Sequence, residues 1–242
     1  MIYPNWPAPK NIFACTSTRK GGISEPPYAS LNLGNHVDDN PLYVAQNRQL
    51  FYRLAQLPCS PIWLQQTHST DVLRLESKQS PLINPIADAC FTQDPNVPCT
   101  IMTADCLPLL ICNQQGTEVA AIHAGWRGLR DGIITETLSH LQSQSHNLLV
   151  WLGPAIGPQA FELNNEIRLD FLACNAQNSL AFKQVNSKWF ADIYALARIE
   201  LKALGVKHIF GGDYCTFSDE ERFFSYRRDG ITGRMASTIW LT

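Results

Sequence analysis

A chain of 242 residues, 45% hydrophobic and 17% charged, has the composition of a soluble globular protein and length for one large domain or two closely joined ones. Its formal net charge of −2 gives no global attraction to nucleic acid or to an anionic membrane, so any anion must be held by local arginines and the expected partner is small. No stretch approaches eighteen uninterrupted apolar residues, and the N-terminus has neither a basic nor an apolar signal region, so a cytoplasmic location is expected.

Residues 13–18 read as a strand, followed by the loop Arg19-Lys-Gly-Gly-Ile-Ser24, where diglycine can turn backbone N–H groups inward and Arg19 offers a fork of donors to an anion. The same residues serve equally well in a solvated turn. Asn40 as cap and Pro41 at the first position open a helix whose apolar residues run to Leu57, with Pro58 ending it. Residues 61–68 read as a short strand delivering Gln65, Gln66 and His68, and residues 71–75 alternate as another.

Two β-rich runs, 97–103 and 107–112, are interrupted by Asp105-Cys106, and Pro108 predicts a kink or an edge there that presents Cys106. Val119 to Ile122 is a strand that ends at His123, after which Ala124 and Gly125 let the backbone approach whatever the imidazole faces. Helices are expected from Gly128 to about Leu141, from Asn164 to Cys174 and from Phe190 to Leu204, with strands at 148–152 and 205–210 between them. The C-terminal region sets Ser225, Arg227, Arg228 and Arg234 around two glycines before a last apolar strand. The eight cysteines, scattered and without a CxxC pair, read mostly as buried thiols.

Three apolar runs therefore end in metal-ligand chemistry, at His68, Cys106 and His123. Two imidazoles and one thiolate suit zinc, with an open fourth position that makes a catalytic site. Cys106 with His123 also fits a nucleophile and base, which leaves His68 without a role. The same three residues form the core of a blue-copper centre, but six histidines hardly supply the imidazoles of a multicopper oxidase.

The stretches Gln65-Gln-Thr-His-Ser-Thr-Asp-Val72, Thr103-Ala-Asp-Cys-Leu-Pro108, His123-Ala-Gly-Trp-Arg-Gly128, Gly153-Pro-Ala-Ile-Gly157 and Ser225-Tyr-Arg-Arg-Asp-Gly-Ile-Thr-Gly-Arg-Met-Ala236 resemble the YfiH-like laccase-domain family over nearly the whole chain. The resemblance implies one α/β domain over residues 1–242, layered α/β/β/α with mixed sheets, and zinc held by His68, Cys106 and His123, with Cu2+ as the other metal. It implies phosphorolysis of adenosine, inosine and methylthioadenosine, together with adenosine deamination. The family's older label is copper-dependent polyphenol oxidase, and one branch is linked to peptidoglycan precursors. Phosphorolysis requires an arginine clamp for phosphate, which nominates Arg127, Arg19 and Arg234. Asp105, beside a ligand, is a candidate for a structural role or for proton transfer.

Overall fold

Short apolar runs bounded by turn residues become strands here because they are buried on both faces, where alternation disappears from the sequence. The computed structural model describes residues 1–78 and 82–242. In chain order the elements are β1 (Ile12–Thr16), α1 (Pro41–Leu54), β2 (Val72–Arg74), β3 (Ala89–Thr92), β4 (Cys99–Thr103), β5 (Leu107–Asn113) and β6 (Val119–Ala124). Then follow α2 (Trp126–Asp131), α3 (Ile133–His140), β7 (Leu148–Leu152), β8 (Glu162–Leu163), α4 (Asn165–Cys174), β9 (Phe182–Val185) and β10 (Lys188–Ala191). The chain closes with α5 (Ile193–Ala203), β11 (His208–Gly211), α6 (Tyr226–Asp229) and β12 (Met235–Leu241).

A six-stranded sheet of order β11-β7-β5-β6-β3-β2 is parallel at both margins and antiparallel within. One face, with Leu107, Leu109, Ile111, Ile122 and Val150, packs on Leu129, Ile133 and Ile134 of α2 and α3 and on Leu196 and Leu201 of α5. The alternate residues Leu110, Cys112, Ala121 and Trp151 meet Ile101, Met235 and Ile239 of a second sheet, β1-β12-β4. That sheet's far face, with Cys15, Met102, Ala236 and Trp240, is covered by Phe51 of α1 and by Leu31 and Leu33. The layers are therefore helix, sheet, sheet, helix, the α/β/β/α order expected.

Several local expectations fail for identifiable reasons. Residues 61–68 form no strand: Gln65 makes one isolated bridge to Ile86, and the Gln66 amide replaces a ladder partner by donating to Met102 O (2.7 Å) and accepting from Met102 N (2.8 Å). Pro108 lies in a central strand rather than at an edge; pairing to β7 begins only at Leu109, so its missing N–H falls at the sheet's end. The helix expected from Gly128 to Leu141 is broken at Gly132, whose φ of +91° ends α2 and begins α3. Helix α1 stops at Leu54, ahead of Pro58.

Phe190 is not helical but belongs to β10. It sits in a hairpin with β9 that turns through Asn186 and Ser187, both at positive φ (47° and 65°), and α5 starts only after the Asp192 cap. All eight cysteines are free, and four rather than most are buried: Cys15, Cys90, Cys99 and Cys112. Among the described residues no helix is long and apolar enough to cross a membrane.

The loop after Arg19 is closed by packing. A Cβ on Gly22 would meet Ser30 O at 2.2 Å and Asn47 Oδ1 at 2.6 Å, so glycine is needed for close approach. Buried Asn47 of α1 donates to Ser24 Oγ (2.8 Å), Ser30 O (3.1 Å) and Asn32 O (3.0 Å), and accepts from Ile23 N (2.9 Å). Asn47→Ala leaves Asn32 O and Ile23 N unpaired, while Ser30 O keeps Ser24 N and Ser24 Oγ keeps Asp39, and is expected to cost about 2 kcal/mol in denaturant unfolding; a loss below about 0.5 kcal/mol contradicts this latch.

Candidate metal centre and its cavity

Antiparallel pairing of β5 and β6 sets Pro108 opposite His123 and Leu107 opposite Ala124, so Cys106 and Gly125 meet just past the sheet's end. His68 enters from a loop in the left-handed region (φ 61°). The donor atoms of His68, Cys106 and His123 all lie within 4.8 Å of one another, and the two imidazoles stand edge to face with centroids 4.8 Å apart. Gly125 makes room for them: a Cβ there would meet His68 Cδ2 at 2.6 Å and Cys106 Sγ at 3.1 Å.

Zn–S bonds of about 2.3 Å and Zn–N bonds of about 2.05 Å at the tetrahedral angle put sulfur and nitrogen roughly 3.6 Å apart. Cys106 Sγ and His68 Nε2 are 3.6 Å apart. The set can hold a metal, with one position left for a ligand.

Asp88 organises the ligands from behind. Its fully buried carboxylate accepts from His123 Nδ1 (2.7 Å), His68 N (3.0 Å), Thr67 N (3.1 Å) and Ser69 N (2.7 Å) and Oγ (2.9 Å), while its carbonyl accepts His123 N (2.7 Å). Held at Nδ1, His123 presents Nε2 to the metal position. Burial raises the Asp88 pKa, but the His123 and Ser69 hydrogen bonds and the His123 charge outweigh it and bring it to about 2.

In the metal-free protein burial alone would raise the Cys106 thiol, yet the His123 charge and hydrogen bonds to both imidazoles bring it down to about 6. Burial would lower His123, yet the Cys106 thiolate and Asp88 raise it to about 9. Thiolate and imidazolium therefore coexist between these limits, the state from which a cation displaces one proton.

A cavity of about 540 Å³ opens on the ligands and is also lined by His36, Gln66, Thr103, Trp126, Phe161, Arg127, Arg227 and Arg234. Arg127, in the first turn of α2, stacks on Trp126 at 4.4 Å and has no carboxylate partner among the described residues. Arg234 donates through Nη1 to Thr232 O (2.9 Å) and Gly233 O (3.1 Å). Arg19 does not line the cavity: its guanidinium donates to Ala29 O (3.0 Å) and Glu220 O (3.2 Å) and lies over Phe224. Asp105 is engaged in support of the fold: Thr216 Oγ1 donates to its Oδ1, Ser225 Oγ donates to its Oδ2, and Arg227 N donates to the same Oδ2 at 2.7 Å. Those bonds hold α6, and with it Tyr226 and Arg227, against the Cys106 turn.

A family model described as multi-copper polyphenol oxidoreductase laccase matches residues 13–242. The chain belongs to this family. Among curated relatives of this laccase-family chain, "Purine nucleoside phosphorylase YfiH" of Escherichia coli is 54% identical, covering 100% of this chain and 98% of the relative. A purine nucleoside phosphorylase of Pseudomonas aeruginosa is 51% identical, covering 99% and 98%. A crystal structure of a Neisseria meningitidis protein superposes with a TM-score of 0.94 at 43% identity, covering 99% and 98%.

Asp88, His36 and Phe161, which support or line this cavity, were not picked out from the sequence. Asp88 carried a usable signal, a lone carboxylate between alanines in an apolar run; His36, in a polar loop, carried none.

Asp88→Asn should weaken metal binding about 10- to 100-fold in chelator competition, because the acceptor that orients His123 is lost; unchanged affinity sinks that role. In metal-free protein, Cys106 should alkylate with a rate that is low below pH 6, rises through about 6 and is flat above, since its folded pKa is depressed. A midpoint near 8.5, the value of an ordinary thiol, or no protection by added metal contradicts the thiolate assignment.

Proposed function

We propose that the chain, acting as one YfiH-like laccase domain over residues 1–242, is a zinc-dependent purine nucleoside phosphorylase. It takes adenosine, inosine or methylthioadenosine with phosphate to free base and ribose 1-phosphate, and deaminates adenosine at the same site. The observation that carries this reading is a single cavity that joins a three-donor metal set to arginines without carboxylate partners among the described residues and to aromatic walls. The phosphorylase names of the Escherichia coli and Pseudomonas aeruginosa relatives support its phosphorolytic part.

His68, Cys106 and His123 hold the zinc; when bound, it supplies a Lewis acid for a substrate oxygen and an acidified water for deamination. Arg127 and Arg234 clamp the phosphate and aim it at C1′ of the ribose. A phosphate oxygen bonds to C1′ as the C1′–N9 bond breaks. The purine leaves with the bonding pair and takes one proton, which dihydrogen phosphate can supply. Trp126 and Phe161 offer apolar surface to the base and sugar and exclude water that would compete with phosphate. The buried Thr103 hydroxyl, without a partner among the described residues, offers a ribose hydroxyl a hydrogen bond.

Copper oxidation of phenols is disfavoured by the histidines. His140 pairs with Glu136, His146 lies in a short helical turn and His208 is in β11, so no further imidazole cluster stands beside the three ligands among the described residues. The Cys106 thiolate beside His123 favours a second reading, a cysteine hydrolase acting on peptidoglycan precursors; a zinc bound at that sulfur removes its nucleophilicity.

Metal-replete protein should release base and ribose 1-phosphate from inosine only when phosphate is present, and Cys106→Ala should lower the rate at least about 1000-fold, comparable to loss of a main electrostatic catalyst. Release that ignores phosphate ends the proposal, as does no base release beside turnover of a phenol or a precursor peptide.

A further inference from the structure

Arg234 is half-buried and forms no ion pair among the described residues; two carbonyls occupy Nη1 alone. Burial disfavours the Arg234 charge, the Cys106 thiolate and Asp105 offset this only from a distance, and Nε and Nη2 have no hydrogen-bond partner among the described residues, which leaves them to an anion in the cavity that Arg234 lines. The Gly34 backbone brings a second group to the same place. A Cβ on Gly34 would meet Arg234 Cγ at 2.8 Å and His36 Cε1 at 3.4 Å, so the imidazole and the arginine stem converge over bare backbone. His36 lines the cavity, and its ring nitrogens have no hydrogen-bond partner among the described residues.

Behind the loop, Arg48 of α1 donates through Nε to Leu33 O (3.0 Å) and stacks on Trp63 at 4.1 Å. Its Nη2 is buried without a partner. Asp38 and Asp39 lie on the same loop but form no ion pair with Arg234 or Arg48 among the described residues; Asp39 accepts instead from Ser24 Oγ, Asn32 Nδ2 and Asn40 N.

We propose that His36 and Arg234 form an oxyanion subsite that binds the attacking phosphate, with Arg48 as a positioning residue for the loop that carries His36. This deepens the phosphorolysis reading and rests on it for the identity of the anion. His36 is exposed at the cavity mouth, and partial desolvation, then the charges of Arg234 and Arg48, lower its pKa below the ordinary imidazole value, so at neutral pH it is an uncharged imidazole with one N–H to donate and one lone pair. Such a group donates to a phosphate oxygen while Arg234 supplies the charge. The cavity's apolar lining, Trp126, Ile156, Phe161 and Ile193, suits the base, while Arg127 stands beside Trp126 as a second cation for the anion.

The test is isothermal titration of metal-replete protein with inorganic phosphate, without nucleoside. His36→Ala should weaken phosphate binding at least tenfold, in keeping with loss of one hydrogen bond to a charged ligand. His36→Gln, which keeps an N–H donor, should recover most of it. Metal content and nucleoside affinity in the absence of phosphate should be unchanged in both variants. His36→Ala binding phosphate as tightly as the parent overturns the proposal, and so does a parent that binds no phosphate. A parent that binds phosphate through His36 yet releases no base supports the subsite and ends the phosphorolysis reading alone.

Discussion

The site depends on one buried carboxylate. Asp88 has no exposed surface, and in the low-dielectric interior an ionised carboxylate persists only where donors replace its water. His123, Thr67, His68 and Ser69 are those donors. The same bonds that stabilise the charge fix the His123 tautomer and fasten the loop carrying His68 to the start of β3. Removing one partner from such a buried charged set typically costs about 3–5 kcal/mol, so ligand placement and local fold are one constraint.

The layers explain why the loop ends can be so exacting. Strands β5, β6 and β7 are buried on both faces, which pins their register and leaves their ends as rigid mounts. Two residues at the site hold left-handed backbone without being glycine: His68 at φ 61° and Asp105 at φ 92°. Conformations of this kind persist where the surroundings over-determine them. Here the Asp88 carboxylate holds the first, and Thr216, Ser225 and the Arg227 amide hold the second. Asp105 thus ties α6 to the Cys106 turn, so the ligand and the cavity's far rim share one support.

Much of this was legible in the sequence where local pattern and tertiary role coincide. The apolar runs of β5, β6 and β7, the Asn40 cap and the helix at 164–174 declared themselves, as did three ligand-type residues at run ends. Misreadings came where a side chain or a single backbone angle overrode the pattern. Gln66 imitates a strand partner with its amide, Gly132 splits an apolar helix pattern into two, and Asn186-Ser187 turns a hairpin ahead of a helix expected to start at Phe190. Arg19 looked like an anion ligand because its loop carries two glycines, but Gly22 serves close packing against Asn47 and Ser30 and Gly21 supplies a turn at φ +93°. His36 was invisible because only the fold brings residue 36 beside Arg234.

The central claim is that one metal is held by two imidazoles and one thiolate with a position left open for a substrate or water oxygen. X-ray absorption at the metal edge of the purified protein tests this most directly. The account predicts zinc with one sulfur at about 2.3 Å, two nitrogens at about 2.0–2.1 Å and a remaining light oxygen donor. A first shell without sulfur, or one closed by a fourth protein ligand, contradicts it.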